Sequence, residues 1–285
     1  MILRTLKTSS TKKNNDVPFL RRYPVRSYQD VEVFSTTRHG GVSQGNYGTF
    51  NINEFCGDAP DAVQANRVAL TRELGIDTDH LIIPHQTHGT EVRYVDRQFL
   101  MKSAVERRQL LEGVDAVFTD VPRTCVGVST ADCIPIVLED TYNFVVCAVH
   151  AGWRGTVNRI VQKAIEAMNQ PYWVDPAYID VWIGPGISME AFEVGDEVYN
   201  AFSHAGFNMD SIATRLPSST ATSEDGCKWH IDLVECNRQQ LVASGVDEGN
   251  IHLSRICTYY NNKDYFSARR QGIASGRIYT GIVLK

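Results

Sequence analysis

The chain has 285 residues, a formal net charge of -5, 43% hydrophobic and 21% charged residues. That is ordinary globular composition with material for a sizeable core, and it excludes the clustered Lys/Arg footprint of a nucleic-acid binder. No window approaches the roughly 18 consecutive apolar residues that span a membrane, and the first residues lack the apolar stretch of a secretory signal, so a cytoplasmic protein with small-molecule partners is expected.

Residues 1–29 carry Lys12, Lys13, Arg21, Arg22 and Arg26 among Ser, Thr and Asn, which reads as a poorly ordered arm. From residue 30 to 285 no repeat, linker or composition shift divides the chain, so a single domain is expected. VEVFSTT (31–37) reads as a strand running into RHGGVSQGNYG, whose Gly, Ser and Asn mark a shaped loop. A helix follows Asp58 through Val63, Leu70 and Leu74 and stops at Gly75, and another covers Phe99 to Glu112. CVGVS, IPIVL and FVVCAV are apolar, β-branched runs suited to strands buried on both faces. From Thr156, the residues Val157, Ile160, Val161, Ala164, Ile165 and Met168 recur at helical spacing. YIDVWI is a further strand, helices are expected over 196–204 and after Asp232, and IHLSRI and RIYTGIVL close the chain as strands.

Seven widely spaced cysteines without a Cys-x-x-Cys pair fit neither a disulfide framework nor a zinc ribbon. Most read as buried small hydrophobes. His88 in HQTHG, Cys133 in TADC and His150 in VHAGWRG differ, because each sits where a strand hands over to a polar or Gly-rich turn. Imidazole nitrogen and thiolate are preferred zinc ligands, and three protein ligands leave a fourth position open, as catalytic sites require. The separations of 45 (133 minus 88) and 17 (150 minus 133) match no compact metal motif, so buried loop histidines and an inert thiol are the competing reading.

Nine segments occur in order: TTRHGGVS (36–43), YGTFNIN (47–53), GD with NR (57–67), HQTHGTEV (85–92), DAVFTD (115–120), TADCIPIVL (130–138), VHAGWRGT (149–156), IGPGIS (183–188) and CTYYNNKDYFSARRQG (257–272). Together they resemble the YfiH-type family, whose members also carry laccase-domain, multicopper polyphenol oxidase and peptidoglycan-editing-factor labels. The resemblance implies an α+β fold of mixed β-sheets packed between helices, similar to the cytotoxic necrotising factor catalytic domain. It implies zinc on His88, Cys133 and His150. It also implies phosphorolysis of purine nucleosides (adenosine, inosine, methylthioadenosine) and deamination of adenosine.

Phosphorolysis needs a held anion, for which Arg38 and Arg154 are the candidates because guanidinium forks bind phosphate bidentately. The Gly40-Gly41 turn, running on to Ser43, offers backbone N–H groups to the same anion, and Gly155-Thr156 is expected to open a helix whose amino end favours negative charge. Arg269 and Arg270 are weaker candidates, since paired arginines commonly form surface ion pairs. Asp132 would orient a ligand or take a proton, or satisfy backbone N–H groups. His85 is a candidate second ligand or general acid/base, and Trp153, Tyr265 and Phe266 are candidates to stack on a purine, or simply core.

Two other chemistries compete. Copper oxidation is poorly supplied, because eight histidines include no His-x-His pair. The His-x-Glu with Pro-Cys-x-x-Cys of cytidine-type deaminases is absent too. A nucleophilic Cys133 with His150 as base would instead make an amidase that edits cell-wall precursors, and metal separates the readings because a ligated thiolate is not free to attack carbon.

Overall fold

In Ile134–Asp140, Ile134, Ile136 and Leu138 face one apolar cluster and Val137 another; in Val145–Ala151, Val145, Cys147 and Val149 oppose Val146 and Ala148. Strands apolar on both sides must be covered on both sides. The computed structural model describes residues 20–25, 31–221 and 223–285, and shows what covers them.

A six-stranded mixed sheet runs in the order Ile251–Leu253, Ile179–Ile183, Ile134–Asp140, Val145–Ala151, Val114–Thr119, Glu91–Tyr94. Its two edge pairings are parallel and its central ones antiparallel. A five-stranded sheet orders Leu20–Tyr23, Val31–Thr36, Ile278–Leu284, Thr124–Thr130, Leu81–Ile82. The two sheets pack face to face through Val33, Val126, Val128 and Ile282 against Val117, Val137, Ala148 and Trp182. Helices Ile160–Tyr172 and Leu233–Ala243 cover the far face of the larger sheet, and helix Pro60–Leu74 covers that of the smaller. The result is the α+β arrangement of mixed sheets between helices, with a small third sheet of Glu193–Val194, Cys227–Ile231 and Ala213–Pro217 beside it.

Helix Pro60–Leu74 ends as expected on Gly75, which takes the left-handed conformation. Three elements depart from expectation. The helix foreseen over Phe99 to Glu112 is two pieces, Arg97–Leu100 and Ala104–Leu110, because Ser103 and Glu106 form a capping box that starts a new helix. The helix foreseen from Thr156 is also two, Trp153–Val157 and Ile160–Tyr172, broken where Arg159 takes φ 63° and lays its guanidinium 3.8 Å from the centre of the Phe207 ring. Gly155-Thr156 therefore lies inside a short helix and opens none. Finally, Leu20–Tyr23 within the expected arm is a strand paired with Val31–Thr36, tied further by Arg22 to Glu32 and Glu73. The rest of that arm, 1–19 and 26–29, lies outside the described residues. No helix among the described residues is long and apolar enough to cross a membrane.

Gly127 marks the tightest packing of the smaller sheet. A Cβ there would lie 2.3 Å from the buried Tyr279 ring, whose hydroxyl donates to the Ile82 carbonyl. Gly127→Ala is expected to cost about 1–3 kcal/mol as an overpacked site. Urea titration should show a lower midpoint at unchanged slope; an unchanged midpoint would mean the ring is free to give way.

Candidate metal centre

The hairpin register Pro135 opposite His150 and Ile134 opposite Ala151 carries the chain ends Cys133 and Gly152 side by side. His150 continues the Val146, Ala148 row and so emerges between the two sheets at the strand's end. The neighbouring register, Ala116 opposite Val149, brings Asp115 beside His150. His88 comes from the loop between Ile82 and Glu91, which Gln86 pins to the smaller sheet by a reciprocal pair of bonds to the Ser129 backbone. His88 holds φ 63°, uncommon for a residue with a side chain.

The donor atoms of His88, Cys133 and His150 all lie within 4.8 Å of one another, and Cys133 Sγ is 3.8 Å from His88 Nε2. Gly152 leaves room for them, since a Cβ there would lie 2.9 Å from the His88 ring and 3.1 Å from Cys133 Sγ. His150 Nδ1 donates to Asp115 Oδ1 at 2.7 Å, which leaves Nε2 for a metal. That carboxylate, imidazole, metal order is the usual support of a ligating histidine. The group could therefore hold a metal ion, and it opens onto a cavity of about 410 Å³ from which a fourth ligand can approach.

Electrostatics favour the charged donors. Burial alone would push the Cys133 thiol up, but the His150 and His88 imidazoles more than offset it and bring it down to about 6. Burial likewise pushes His150 down, yet the Cys133 sulfur and the Asp115 carboxylate raise it to about 9. Asp115 is held below its ordinary range against its burial, chiefly by the His150 bond.

The other residues singled out from sequence divide into two groups. Asp132 lines the cavity, but Thr258 Oγ1 and the Arg269 amide occupy its two oxygens, so it braces the backbone that carries Arg269. Arg38 does not line the cavity: it donates to the Gly48 and Asn262 carbonyls and lies over Phe266, locking two loops together. The amides of Gly41 and Ser43 are bonded to Thr49, and a Cβ on Gly41 would lie 2.3 Å from the Thr49 oxygen, so the Gly40-Gly41 turn is a close approach of two chains. Ser43 is buried and donates to Asp58. Arg154 is exposed over Trp153, and neither faces the cavity. Tyr265 and Phe266 are core.

Arg269 does line it, with its guanidinium 5.5 Å from the Phe192 ring. His85 lines it too, with Nδ1 bonded to Glu112 and its ring stacked 4.1 Å from Phe55. Asp115, Phe55, Phe192 and Glu112 were not singled out from sequence. Asp115 had a readable signal, an acidic residue opening the apolar run DAVF; the other three come from distant loops and carried none.

Residues 32–285 match the family described as multi-copper polyphenol oxidoreductase laccase. The chain is 42% identical over 258 residues to a purine nucleoside phosphorylase of Bacteroides thetaiotaomicron, covering 90% of this chain and 93% of that protein. It is 42% identical over 261 residues to adenosine deaminase RL5 from an unknown prokaryotic organism, covering 91% and 96%. The crystal structure of YlmD from Geobacillus stearothermophilus superposes with a TM-score of 0.82 at 28% identity, covering 93% and 96%.

Two outcomes are expected at the centre. In metal-free protein, site-resolved alkylation of Cys133 should accelerate as pH rises through about 6, because a lowered pKa makes thiolate the major form above that point; acceleration only near pH 9 would contradict the coupling to His150. Asp115→Asn should weaken metal affinity about 10- to 100-fold in chelator competition, and unchanged affinity would detach Asp115 from the site.

Proposed function

The chain belongs to the multi-copper polyphenol oxidoreductase laccase family, and from that premise we propose that it is a zinc-dependent purine nucleoside phosphorylase that also deaminates adenosine. Its substrates are adenosine, inosine and methylthioadenosine with phosphate, and its place is the cytoplasm, where a thiolate ligand stays reduced. The observation that carries the reading is the three-donor set of His88, Cys133 and His150 at the floor of a cavity sized for a nucleoside. The names of the two relatives support both activities.

Zinc is preferred to copper because three protein ligands beside an open cavity leave the fourth position that a catalytic zinc site keeps for water or substrate, and because the chain has no His-x-His pair to supply a multicopper centre. When bound, the ion would supply Lewis-acid polarisation and lower the pKa of its bound water toward about 7. The chain's own residues supply the rest. Arg269 holds the phosphate, in place of Arg38 and Arg154, whose guanidinium groups face elsewhere. Phe192, which lines the cavity, offers apolar ring surface to the purine. A phosphate oxygen forms the new bond to the sugar carbon as the bond to the purine nitrogen breaks, and the departing electron pair takes up a proton. His85, with Nδ1 held by Glu112, keeps Nε2 for that transfer.

One observation favours a second reading. A thiol brought down to about 6 beside an imidazole raised to about 9 is also the pairing of a cysteine nucleophile, which would make the protein an amidase. Cys133→Ser separates the two. Loss of zinc together with loss of nucleoside cleavage supports the metalloenzyme, whereas full zinc with no turnover supports the nucleophile.

Incubation with adenosine and phosphate should release adenine and ribose 1-phosphate, and incubation without phosphate should yield inosine; formation of none of these products would overturn the proposal. Arg269→Gln is expected to raise the KM for phosphate roughly ten- to a hundredfold, the worth of one charge-assisted bond, while the KM for nucleoside moves little. Unchanged phosphate dependence would remove Arg269 from the role.

A further inference from the structure

An uncharged donor in the metal cavity is left unused by the fold. Asn53, the residue before the helical turn Glu54–Cys56, lines that cavity and is 8% exposed. Its side-chain oxygen accepts from the Phe55 amide at 2.7 Å, so the group can lie only one way, oxygen toward Phe55 and nitrogen away from it. That nitrogen, Nδ2, has no hydrogen-bond partner among the described residues. Unlike the sealed hydroxyls of Ser129 and Thr130, which belong to the same cavity wall, it keeps contact with solvent. In a residue so deeply set, the opening it faces is the cavity.

The donor is also held still. The Asn53 amide donates to Asn51 Oδ1 at 3.2 Å, Asn51 Nδ2 returns a bond to the Asn53 carbonyl at 3.1 Å, and Arg67 Nε fixes the Ile52 carbonyl between them at 2.9 Å. A donor ordered in advance loses little freedom when a ligand accepts from it. Phe55, whose amide Asn53 holds, lays its ring 4.1 Å from the His85 ring, so the Asn53 donor and the His85 imidazole share one side of the cavity.

We propose that Asn53 is a specificity-determining residue of the nucleoside site, donating from Nδ2 to N7 of the purine. The inference rests on the nucleoside reading above, in which His85 supplies the proton to the departing purine and so has the base on its own side. With its oxygen committed to Phe55, Asn53 can donate but not accept, and it must meet an acceptor. At position 6, adenosine and methylthioadenosine carry a donor and inosine an acceptor, so one fixed donor there could not serve all three. N3 and N7 are acceptors in all of them. N3 lies on the edge beside the ribose, whereas N7 lies open on the other edge.

Calorimetric titration of the metal-loaded protein with inosine and with 7-deazainosine, both without phosphate so that neither is cleaved, tests the assignment. Wild type is expected to bind inosine at least about tenfold more tightly, because the 7-deaza compound leaves the donor unpaired in the complex. In Asn53→Ser and Asn53→Asp, which keep an oxygen to cap the Phe55 amide, the two affinities are expected to come within about twofold of each other. A thermal melt identifies a variant that fails to fold, and the folded one decides. Equal affinity of wild type for the two ligands, or a preference that persists in the folded variant, would overturn the assignment while cleavage of inosine by phosphate still upheld the nucleoside reading. Inosine neither bound nor cleaved would overturn both.

Discussion

A carboxylate shielded from solvent must find donors for its oxygens or lose its charge, and Asp115, with no exposed surface, finds four. Three are consecutive backbone N–H groups, of Thr87, His88 and Gly89, and the fourth is Nδ1 of His150. One side chain on the larger sheet therefore fixes both the conformation of the His88 loop and the tautomer of His150. The strained φ of His88 persists because these bonds over-determine it. Without Asp115, the two imidazoles would have no reason to converge on the Cys133 sulfur.

The sheets make that convergence rigid. Cys133 and His150 are the ends of adjacent antiparallel strands, and their spacing follows from register, with no dependence on loop mobility. Gln86 adds the other sheet, so the centre sits where both sheets meet and any shift of one against the other would pull the donors apart. A site held this firmly suits a metal, whose ligand distances tolerate little error. The same firmness gives Cys133 its two chemical identities: close imidazoles make it a thiolate, and a thiolate either binds metal or attacks carbon. The open cavity above it permits both, and bound zinc would decide for the first.

Much of this was legible in the sequence. The continuous apolar, β-branched runs 134–138 and 144–149 declared strands buried on both faces, and the Gly75 stop and Asp232 cap marked helix ends. The breaks at Ser103 and Arg159 were not legible from periodicity, because apolar spacing continues across them while a capping box and a cation over Phe207 redirect the backbone. The donor triad stood out by its strand-to-turn positions, but only the family resemblance favoured a shared site over inert loop residues, since separations of 45 and 17 residues carry no metal signature until strand register folds them together. Arginine roles were the least legible. Motif context favoured Arg38 and Arg154, but an arginine beside a Gly turn is as able to lock two loops through carbonyls as to hold an anion, and Arg38 does the former. What placed Arg269 at the cavity was a backbone bond from its own amide to Asp132, 137 residues away in sequence.

The central claim is that His88, Cys133 and His150 together hold zinc. X-ray absorption at the zinc edge on protein purified without added metal tests it most directly. The account requires about one equivalent of zinc with one sulfur at about 2.3 Å and nitrogen ligands at about 2.0–2.1 Å, and a sulfur signal that disappears in Cys133→Ser. Zinc with no sulfur neighbour, or stoichiometric copper in its place, would contradict it.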